Sequence, residues 1–537
     1  MSRSGDAPGA LLFRELPLSP VLVAGGSRLR HDSAFCESRN ARARMMEGCM
    51  MESPERLIVV SNRLPVALRK ENGKWTVKPG AGGLVTALAP VLQHRGGVWI
   101  GWSGAYGDAD LKQIFGDYSK EAGYALKPVS LNREEVEGYY YGFSNEIIWP
   151  LFHQFHTRCN FNPDYWRHYL EVNMKFAEAI AATSAPNDYI WVHDYHLMHV
   201  GFLLKSMGVA RKTGFFLHIP FPPTEIYLKL PWREKLIRAL LEFDLVGFQT
   251  LEDRRNFVQS VQRLLPKTRI SGRGSVVYAE VNGRKVRLGG FPISIDYNAF
   301  ADAAAKNEVA ARAFEIKQAY KNRKLLLGVD RLDYTKGIPE RITAVGAALR
   351  RYPDLHEKIN FIQVVVPSRE EISEYQELKT EIEQLVSRIN GEFTKPGWAP
   401  VHYMYRSLPR EELVAYYRAA DIALVTPLCD GLNLVAKEYC ASNVDETGAL
   451  ILSEFAGAAA QLQRPGAMLV NPFDTEGVAR TIRRAFLAPE SSRRARMRKM
   501  RDNVRRHNIY WWVDSFLMAA FSMNLNDFPP LESVNFS

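Results

Sequence analysis

The chain has 537 residues, of which 46% are hydrophobic and 24% are charged, and its formal net charge is +10. This length exceeds that of a usual single domain, and the composition is typical of a globular enzyme with anionic partners such as sugar phosphates, nucleotides or nucleic acid. No window approaches eighteen uninterrupted apolar residues, so the sequence excludes a membrane-spanning helix and predicts no membrane partner.

The cysteines indicate the redox compartment. They are scattered along the chain, are odd in number and have no CxxC spacing. This pattern argues against both a disulfide framework and a zinc site, so a reducing cytoplasm fits best. The five residues are Cys36, Cys49, Cys159, Cys429 and Cys440.

Residues 1–54 differ from the rest of the chain. The stretch from Leu11 to Val23 is partly apolar, but the nearby Pro8, Pro17 and Pro20 break it, which excludes a signal-peptide core. The following Arg- and Ser-bearing segment has no clear periodicity, so we expect the whole extension to be disordered. A transit-type leader and a start site placed too far upstream are the alternatives.

From residue 56 to about residue 290, apolar strands and helical patterns alternate. RLIVVSNRLPV is typical of a buried strand that ends near Arg63. PGAGGLVTALAPVL predicts a glycine loop that leads into a helix. Gly82 and Gly83 carry no side chain there, so the backbone N–H groups of the helix start can approach a diphosphate. A simple tight turn is the alternative.

Two further segments suggest ligand contacts. Asp108 and Asp110 form a DxD that would suit a divalent metal, but their loop has no apolar frame, and we predict no metal. EVEGYYYGFSNEIIWPLFH places Tyr139, Tyr140 and Trp149 near Asn and His side chains. Aromatic rings among polar groups suit the flat faces of a sugar, whereas core packing is the alternative.

Polar clusters follow two predicted strands of this half. DYIWVHDYHLMHV ends in His193, Asp194 and His196, and TGFFLHIPFPP continues to His218. The histidine spacing is neither HExxH nor a facial triad, which disfavours a metal site. The carboxyl ends of parallel strands carry the ligand contacts of α/β enzymes, so we predict ligand contacts here.

FPISIDYNAF interrupts the alternation and marks the predicted domain boundary. A second series of strands and helices follows it, which predicts an α/β fold with two parallel sheets facing a cleft. We therefore expect a first domain at 55–292, a second domain at 293–508, and a helix at 509–530 that packs back on the first domain.

Two motifs of the second half predict a nucleotide site. Arg331 and Lys336 are five residues apart after the strand of KLLLGVDRLDYTKG, where two cations can neutralise a diphosphate. Arg369 likewise ends a predicted strand. In DIALVTPLCDGLNLVAKEYCAS, the helix start suits phosphate, and Glu438, one turn after Leu434, suits a ribose. Surface charge and a plain α/β crossover are the alternatives.

Residues 493–506 hold eight Arg or Lys, which raises the possibility of nucleic-acid binding. Met497, Met500 and Val504 recur at helical spacing, however. This pattern favours an amphipathic helix with a solvated basic face, and we predict no nucleic-acid partner.

Ten motifs, in order, resemble those of trehalose-6-phosphate synthases, and the resemblance covers roughly residues 56–520. It implies a GT-B type glycosyltransferase with two Rossmann-like domains. It also implies transfer of glucose from UDP-glucose to glucose 6-phosphate with retention, by front-face attack in which the leaving phosphate deprotonates the incoming hydroxyl. The motifs are SNR, GAGGL, WIGWSG, FSN…WPLFH, HDYHLM, FFLHIPFP, GFQT, DRLDYTKG, DGLNLVAKEY and EFAGAA.

The resemblance also implies roles for single residues. Asp430 would meet the glucose hydroxyls, and His218 would lie beside the reacting bond. No cofactor or metal is implied. The implied UDP-glucose contacts are Gly82, Gly83, Arg331, Lys336, Leu434 and Glu438; the implied glucose 6-phosphate contacts are Arg63, Tyr140, Trp149, Asp194 and Arg369; the implied catalytic group is Arg331, Lys336, His218 and Asp430.

Several alternatives stay open. Leu408 stands where related enzymes often have an aromatic residue, and the hairpin around Trp75 is a further departure. The acceptor could be glycerol 3-phosphate, as in glucosylglycerol-phosphate synthases, or the chain could be a non-catalytic sugar-phosphate sensor. ADP- or GDP-glucose could replace UDP-glucose. By the same resemblance we expect a homo-oligomer, either a dimer or a tetramer.

Overall fold

The structure is a computed structural model that describes residues 56–71, 74–80, 83–105, 111–321, 323–369, 372–464 and 466–522. The predicted extension at 1–54, Gly82, and the DxD of Asp108 and Asp110 lie outside the described residues. No described helix is long and apolar enough to cross a membrane.

The first half is built on a nine-stranded sheet with the order β5-β4-β1-β6-β7-β8-β11-β10-β9. Strands β5 to β11 of this order run parallel, whereas β10 is antiparallel to both of its neighbours. Strands β2 and β3 form a separate antiparallel hairpin. The strands are β1 Leu57–Arg63, β2 Val66–Glu71, β3 Lys74–Pro79, β4 Gly97–Trp102, β5 Ala125–Val129, β6 Tyr189–His193, β7 Lys212–Phe216, β8 Leu245–Phe248, β9 Arg269–Ser271, β10 Val276–Val281 and β11 Arg284–Gly290.

The second half is built on a six-stranded sheet that is parallel throughout, with the order β14-β13-β12-β15-β16-β17. Its central strands are buried on both faces, which is usual where helices cover a parallel sheet. The strands are β12 Lys324–Arg331, β13 Ile359–Val366, β14 Val401–Tyr405, β15 Ile422–Val425, β16 Ala449–Ser453 and β17 Met468–Val470.

Helices connect the strands and cover the sheets. One segment, Val136–Ile148, is a π-helix, and the short 3-10 helices are His156–Arg158, Tyr195–Leu197, Tyr334–Lys336 and Pro353–Leu355. The α-helices are Gly83–Arg95, Leu111–Ala122, Arg133–Glu135, Trp149–Phe152, Pro163–Thr183, Val200–Ser206, Thr224–Tyr227, Arg233–Leu240, Leu251–Leu264, Tyr297–Ala305, Asn307–Ala319, Ile338–Arg351, Ser373–Phe393, Arg410–Ala419, Leu434–Ser442, Ala459–Leu462, Thr475–Leu487, Glu490–Arg506 and Ile509–Phe521.

The carboxyl ends of the two parallel sheets face one another. Gly431, after β15, lies so close to the loop after β7 that an added Cβ would be 2.9 Å from the backbone nitrogen of Pro220. The ring of Phe155 in the first half also lies 5.1 Å from that of Tyr334 in the second. Side chains that follow the strands of both halves therefore meet in one region.

The last helix, Ile509–Phe521, packs against the first sheet. The ring of Phe516 stacks on that of Trp191 in β6, with their centroids 4.2 Å apart. Arg287 in β11 donates hydrogen bonds of 2.6 and 2.7 Å to the carbonyls of Ala519 and Ala520. The chain thus returns to the first half after completing the second.

Asn508 caps this helix, and its side chain accepts a hydrogen bond of 3.1 Å from the backbone N–H of Trp511. We expect Asn508→Ala to lower the free energy of unfolding by about 1 kcal/mol, because the N–H group loses its partner. Urea denaturation checks this value, and Asn508→Ser, which restores a capping oxygen, is the control. A loss as large in the serine variant as in the alanine variant would contradict the capping role.

One sequence prediction was wrong in the first half. Strand–helix alternation does not continue to residue 290, because β9, β10 and β11 follow one another as antiparallel strands. The aromatic segment before Trp149 is a π-helix, a rare geometry that often marks functional sites.

The predicted amphipathic helix is confirmed, since Met497, Met500 and Val504 are buried within Glu490–Arg506.

Candidate active site

Lys336 and Asp430 form a buried ion pair where the two halves face each other. Lys336 lies on the 3-10 turn after β12, and its Nζ is 2.7 Å from Oδ2 of Asp430, which precedes the helix Leu434–Ser442. The two side chains are 11% and 9% exposed. Burial alone would raise the pKa of Asp430, but the Lys336 ammonium holds it below its usual value, so this carboxylate stays charged.

Arg341 stabilises the turn that carries Lys336. Its guanidinium donates hydrogen bonds of 3.1 Å to the carbonyl of Lys336 and 2.9 Å to Oγ1 of Thr426, and it pairs with Asp330. Gly337 has a φ of 61°, and an added Cβ would lie 2.5 Å from the carbonyl oxygen of Thr426. The turn is therefore rigid, and only glycine fits at residue 337.

Arg331, the last residue of β12, is exposed. Its charge acts on Asp194, whose pKa is raised by burial to about 7. The backbone N–H groups of Tyr195 and His218 donate to Asp194 at 3.0 and 3.2 Å, and with Arg331 they oppose that shift. Asp194 adopts a φ of 76°, a strained conformation of the kind found at functional sites.

Arg369 is held in an aromatic and acidic setting. Its guanidinium lies 4.6 Å from the ring centre of Trp149 in the first half, 3.6 Å from Asp333, and in hydrogen-bond contact with Tyr375. Burial would raise the pKa of Asp333, but the charges of Arg369 and Lys336 keep it below its usual value. Arg369 does not end its strand directly, because β13 ends three residues earlier, and its φ is 51°.

Arg63 approaches the same region from β1. Its guanidinium lies 4.0 Å from the ring centre of Trp102 and 5.9 Å from that of Tyr140, which stacks on His196 at 5.8 Å. Burial and the charges of Arg369 and Arg63 lower the pKa of His196 to about 3. Two arginines from opposite halves therefore act on one imidazole, and the structure brings them together.

His218 forms part of a neutral histidine pair. Its Nε2 lies 3.1 Å from Nδ1 of His193. Burial lowers the pKa of His218 to about 3 and that of His193 well below its usual value. Both imidazoles are therefore uncharged near neutral pH.

Glu438 lies within the helix Leu434–Ser442 and accepts a 2.9 Å hydrogen bond from the hydroxyl of Tyr417. Burial raises the pKa of Glu438, and the Tyr417 hydrogen bond and the charge of Arg410 oppose that shift. Leu434 packs against a core group of the first half that includes Trp512. The helix start therefore borders both halves.

The remaining residues named from the sequence make fewer described contacts with this region. Gly83 begins the helix Gly83–Arg95, and Leu408 packs against the core of the second half. Gly82 lies outside the described residues. The structure thus brings together Arg63, Tyr140, Trp149, Asp194, Arg331, Lys336, Arg369 and Asp430, whereas no described contact joins Gly83 or Glu438 to them.

Sequence reasoning missed several residues of this region. The ring of His153 lies 4.2 Å from that of Trp149, and burial together with the charge of Lys336 lowers the pKa of His153 to about 4. Asp333, an acid between two cations in DRLDYTKG, was open to recognition from its motif. Tyr375 and Tyr417 lie in helices without a motif, so their contacts arise only from the fold.

Within the described ranges, no group of three or more His, Cys, Asp or Glu side chains is arranged to hold a metal ion. His196 stacks on Tyr140, and the ring of His199 instead lies 5.7 Å from that of Trp166. The histidines of the HDYHLMH segment therefore point to different neighbours.

Two parallel α/β halves whose carboxyl edges face each other, with cations from both edges at the gap, define a glycosyltransferase of the GT-B type. The chain belongs to glycosyltransferase family 20, whose model matches residues 55–521.

Relatives agree with this assignment. The chain is 43% identical to trehalose-6-phosphate synthase of Mycobacterium bovis over 471 residues, which is 86% of this chain and 94% of the relative. A Burkholderia xenovorans alpha,alpha-trehalose-phosphate synthase (UDP-forming), solved with glucose-6-phosphate, has a TM-score of 0.77 at 35% identity and covers 87% of this chain and 100% of its own. An E. coli structure with UDP-2-fluoro glucose has a TM-score of 0.78 at 35% identity, with coverage of 88% and 100%.

Proposed function

We propose that this enzyme transfers glucose from UDP-glucose to glucose 6-phosphate with retention at the anomeric carbon, giving α,α-trehalose 6-phosphate and UDP. The observation that carries the proposal is that Arg63, 5.9 Å from the ring of Tyr140, and Arg369, 4.6 Å from the ring of Trp149, reach the junction of the halves where Lys336 pairs with Asp430. The B. xenovorans relative with glucose-6-phosphate and the E. coli structure with UDP-2-fluoro glucose support both substrates.

The donor would bind along the second half. Lys336 has three N–H donors, of which Asp430 uses one, so two remain for the diphosphate. Arg331 would contact the same group from the end of β12. Leu434 would border the donor, Gly82 and Gly83 would let the backbone approach the diphosphate, and Glu438, oriented by Tyr417, would accept hydrogen bonds from the ribose. Asp430 would meet the glucose hydroxyls.

The acceptor would bind between Arg63 and Arg369, whose planar guanidinium groups suit a phosphate. Stacking on Trp102 and Trp149 holds the two groups in place before the ligand arrives. Tyr140 and Asp194 would contact the sugar, and the backbone N–H bonds to Asp194 fix its carboxyl group.

The site chemistry fits front-face attack. A double-displacement route needs a carboxylate nucleophile about 5 Å from an acid partner, and no such pair is assigned. In the proposed route the leaving phosphate, stabilised by Arg331 and Lys336, takes the proton of the acceptor hydroxyl. His218 is uncharged, so we assign it to hydrogen bonding beside the reacting bond. Closure of the halves would exclude water, because hydrolysis competes.

We further propose that the chain forms a homo-oligomer and works in the cytoplasm. Cys159, Cys429 and Cys440 are free thiols, which supports a reducing compartment. The oligomer rests on the family resemblance, and light scattering would measure its mass.

A matrix of donors and acceptors tests the proposed function. UDP-, ADP- and GDP-glucose are each combined with glucose 6-phosphate, glycerol 3-phosphate and no acceptor, and nucleotide release is measured. We expect the fastest release with UDP-glucose and glucose 6-phosphate. Faster release with glycerol 3-phosphate would show that glycerol 3-phosphate, not glucose 6-phosphate, is the acceptor. No release in any combination would favour a non-catalytic sugar-phosphate sensor.

We expect Arg369→Gln to raise the KM for glucose 6-phosphate about 10- to 100-fold, because a charge-assisted hydrogen bond contributes about 1.5–3 kcal/mol. The KM for UDP-glucose should change little. Arg351→Gln is the matched control, since Arg351 also lies over a ring, 5.9 Å from that of Tyr352, but at the end of its helix away from this cluster. An unchanged acceptor KM in Arg369→Gln would remove Arg369 from the acceptor site.

A further inference from the structure

A basic groove lies at the outer edge of the second sheet, beside its last strand, β17. The groove has a volume of about 830 Å³ and is lined by the turn before β17, the helix Thr475–Leu487 and the start of the helix Glu490–Arg506. None of its described lining residues is acidic, and five are arginines. These are Arg464, Arg480, Arg483, Arg484 and Arg496.

Only part of this charge is neutralised. Arg480 lies 3.4 Å from Asp474, and Arg483 lies 3.1 Å from Asp354. Among the described residues, the other three groove arginines form no ion pair. Positive charge lined up in a concave surface raises the local concentration of anions, so the groove is electrostatically suited to a multiply charged anion.

A buried arginine lies beside the groove, in a small adjoining cavity. Arg493 is only 8% exposed, and its Nε has no hydrogen-bond partner in the described part of the chain. It lines a smaller cavity that shares Met468, Ala488, Ser492 and Arg496 with the groove. A buried cation without a full set of partners is costly, and the charge of an anion bound in the neighbouring groove would offset part of that cost.

The groove also has an apolar and aromatic side. The ring of Tyr352 lies 4.8 Å from the guanidinium of Arg483, and Leu487 is 55% exposed. Met468 contributes further apolar surface. A flat ring placed beside several cations matches a ligand that carries both an aromatic base and phosphate groups.

The groove is separate from the active site. It lies beside Met468, at the amino end of β17, whereas the active site lies at the carboxyl ends of the sheet. Tyr352 follows the helix Ile338–Arg351, which begins just after Lys336 and whose 14 residues span about 21 Å. A ligand in the groove would therefore not compete with one beside Lys336.

We propose that this groove binds a nucleoside di- or triphosphate, with the phosphates on the arginines and the base on the side formed by Tyr352 and Leu487. The site is independent of the proposed transfer reaction and needs no contact with its substrates.

Titration calorimetry with ATP tests the proposal on the full chain, with saturating UDP present to occupy the nucleotide site of the cleft. We expect one ATP per chain. Arg484→Glu and Arg496→Glu should each weaken binding at least tenfold. Arg498→Glu is the matched control, because Arg498 is 65% exposed on the same helix and pairs with Glu446 outside the groove. The control should bind ATP as the unaltered chain does.

Two further measurements separate the parts of the proposal. Arg493→Met removes the buried cation at similar volume, so it should keep the melting temperature yet weaken ATP binding tenfold or more. Inorganic tripolyphosphate should bind more weakly than ATP. The site would be overturned by any one of three results: no saturable ATP binding, equal weakening in Arg498→Glu, or unchanged ATP binding in a folded Arg493→Met. Tripolyphosphate binding as tight as that of ATP would overturn the assignment of a nucleoside.

Discussion

Arg331→Ala is expected to lower kcat about 10²- to 10³-fold, the usual effect of removing one preorganised group that stabilises developing charge. Arg331 ends β12, is exposed, and its charge lowers the pKa of Asp194 of the first half, so it lies near the junction where we place the leaving group. Because the side chain is exposed, the free energy of unfolding should change by less than about 0.5 kcal/mol. Steady-state kinetics and urea denaturation of the same preparations give both values.

The control for this prediction is Arg238→Ala. Arg238 is an exposed arginine that pairs with Glu234 at 2.7 Å on the helix Arg233–Leu240. The Arg238→Ala variant loses the same charge as Arg331→Ala but at a site away from the junction, so its kcat should stay unchanged. Near-normal turnover in Arg331→Ala would remove this cation from the mechanism.

Lys336→Ala should behave differently from Arg331→Ala. It should lower kcat to a similar extent but also destabilise the fold, because it leaves the buried Asp430 carboxylate without its partner. Lys336→Ala/Asp430→Asn should recover stability but not turnover, since the amide carries no charge. Denaturation of the two variants side by side would show the recovery, and equal instability in both would contradict the pairing.

Arg341→Ala is expected to lower the free energy of unfolding by about 3–5 kcal/mol, the usual cost of breaking a buried ion pair from one side. Arg341 is 1% exposed and bonds to Asp330, Thr426, Gln363 and the carbonyl of Lys336. Its removal leaves the buried Asp330 carboxylate without its cationic partner. Denaturant unfolding of the full chain measures the loss.

A double replacement separates the lost ion pair from the lost packing. Arg341→Met/Asp330→Leu removes both charges and should recover most of the stability, because well-packed apolar residues often replace a buried pair at little cost. If Arg341→Ala unfolded within about 1 kcal/mol of the unaltered chain, the pair would not be the support of the Lys336 turn.

The sequence predicted the elements of the second half well, because periodicity and turn residues agree there. The strand, turn and helix of residues 421–442 appear as β15, the Asp430 turn and Leu434–Ser442. The first half was harder, since β9 is only three residues long and β10 and β11 are joined by a tight turn that leaves no room for a helix. The π-helix before Trp149 has no sequence signature in hydrophobic periodicity.

The sequence predicted which residues belong to the site, but it did not predict the contacts and distances between them. Lys336 and Asp430 were each named from a motif, but they are 94 residues apart, and nothing in either motif states that they pair at 2.7 Å. Arg369 was named without its Tyr375 partner, which lies in a helix of ordinary composition. Contacts between distant elements depend on how the two sheets face each other, and local patterns carry no information about that.

Proton NMR of the product formed from UDP-glucose and glucose 6-phosphate tests the central claim most directly. Transfer with retention predicts a non-reducing disaccharide phosphate whose two anomeric protons both show the small coupling of an α linkage, with one UDP released per product. A β-linked product, or UDP accumulating with free glucose alone, would contradict an enzyme that joins these two sugars at the junction of its halves.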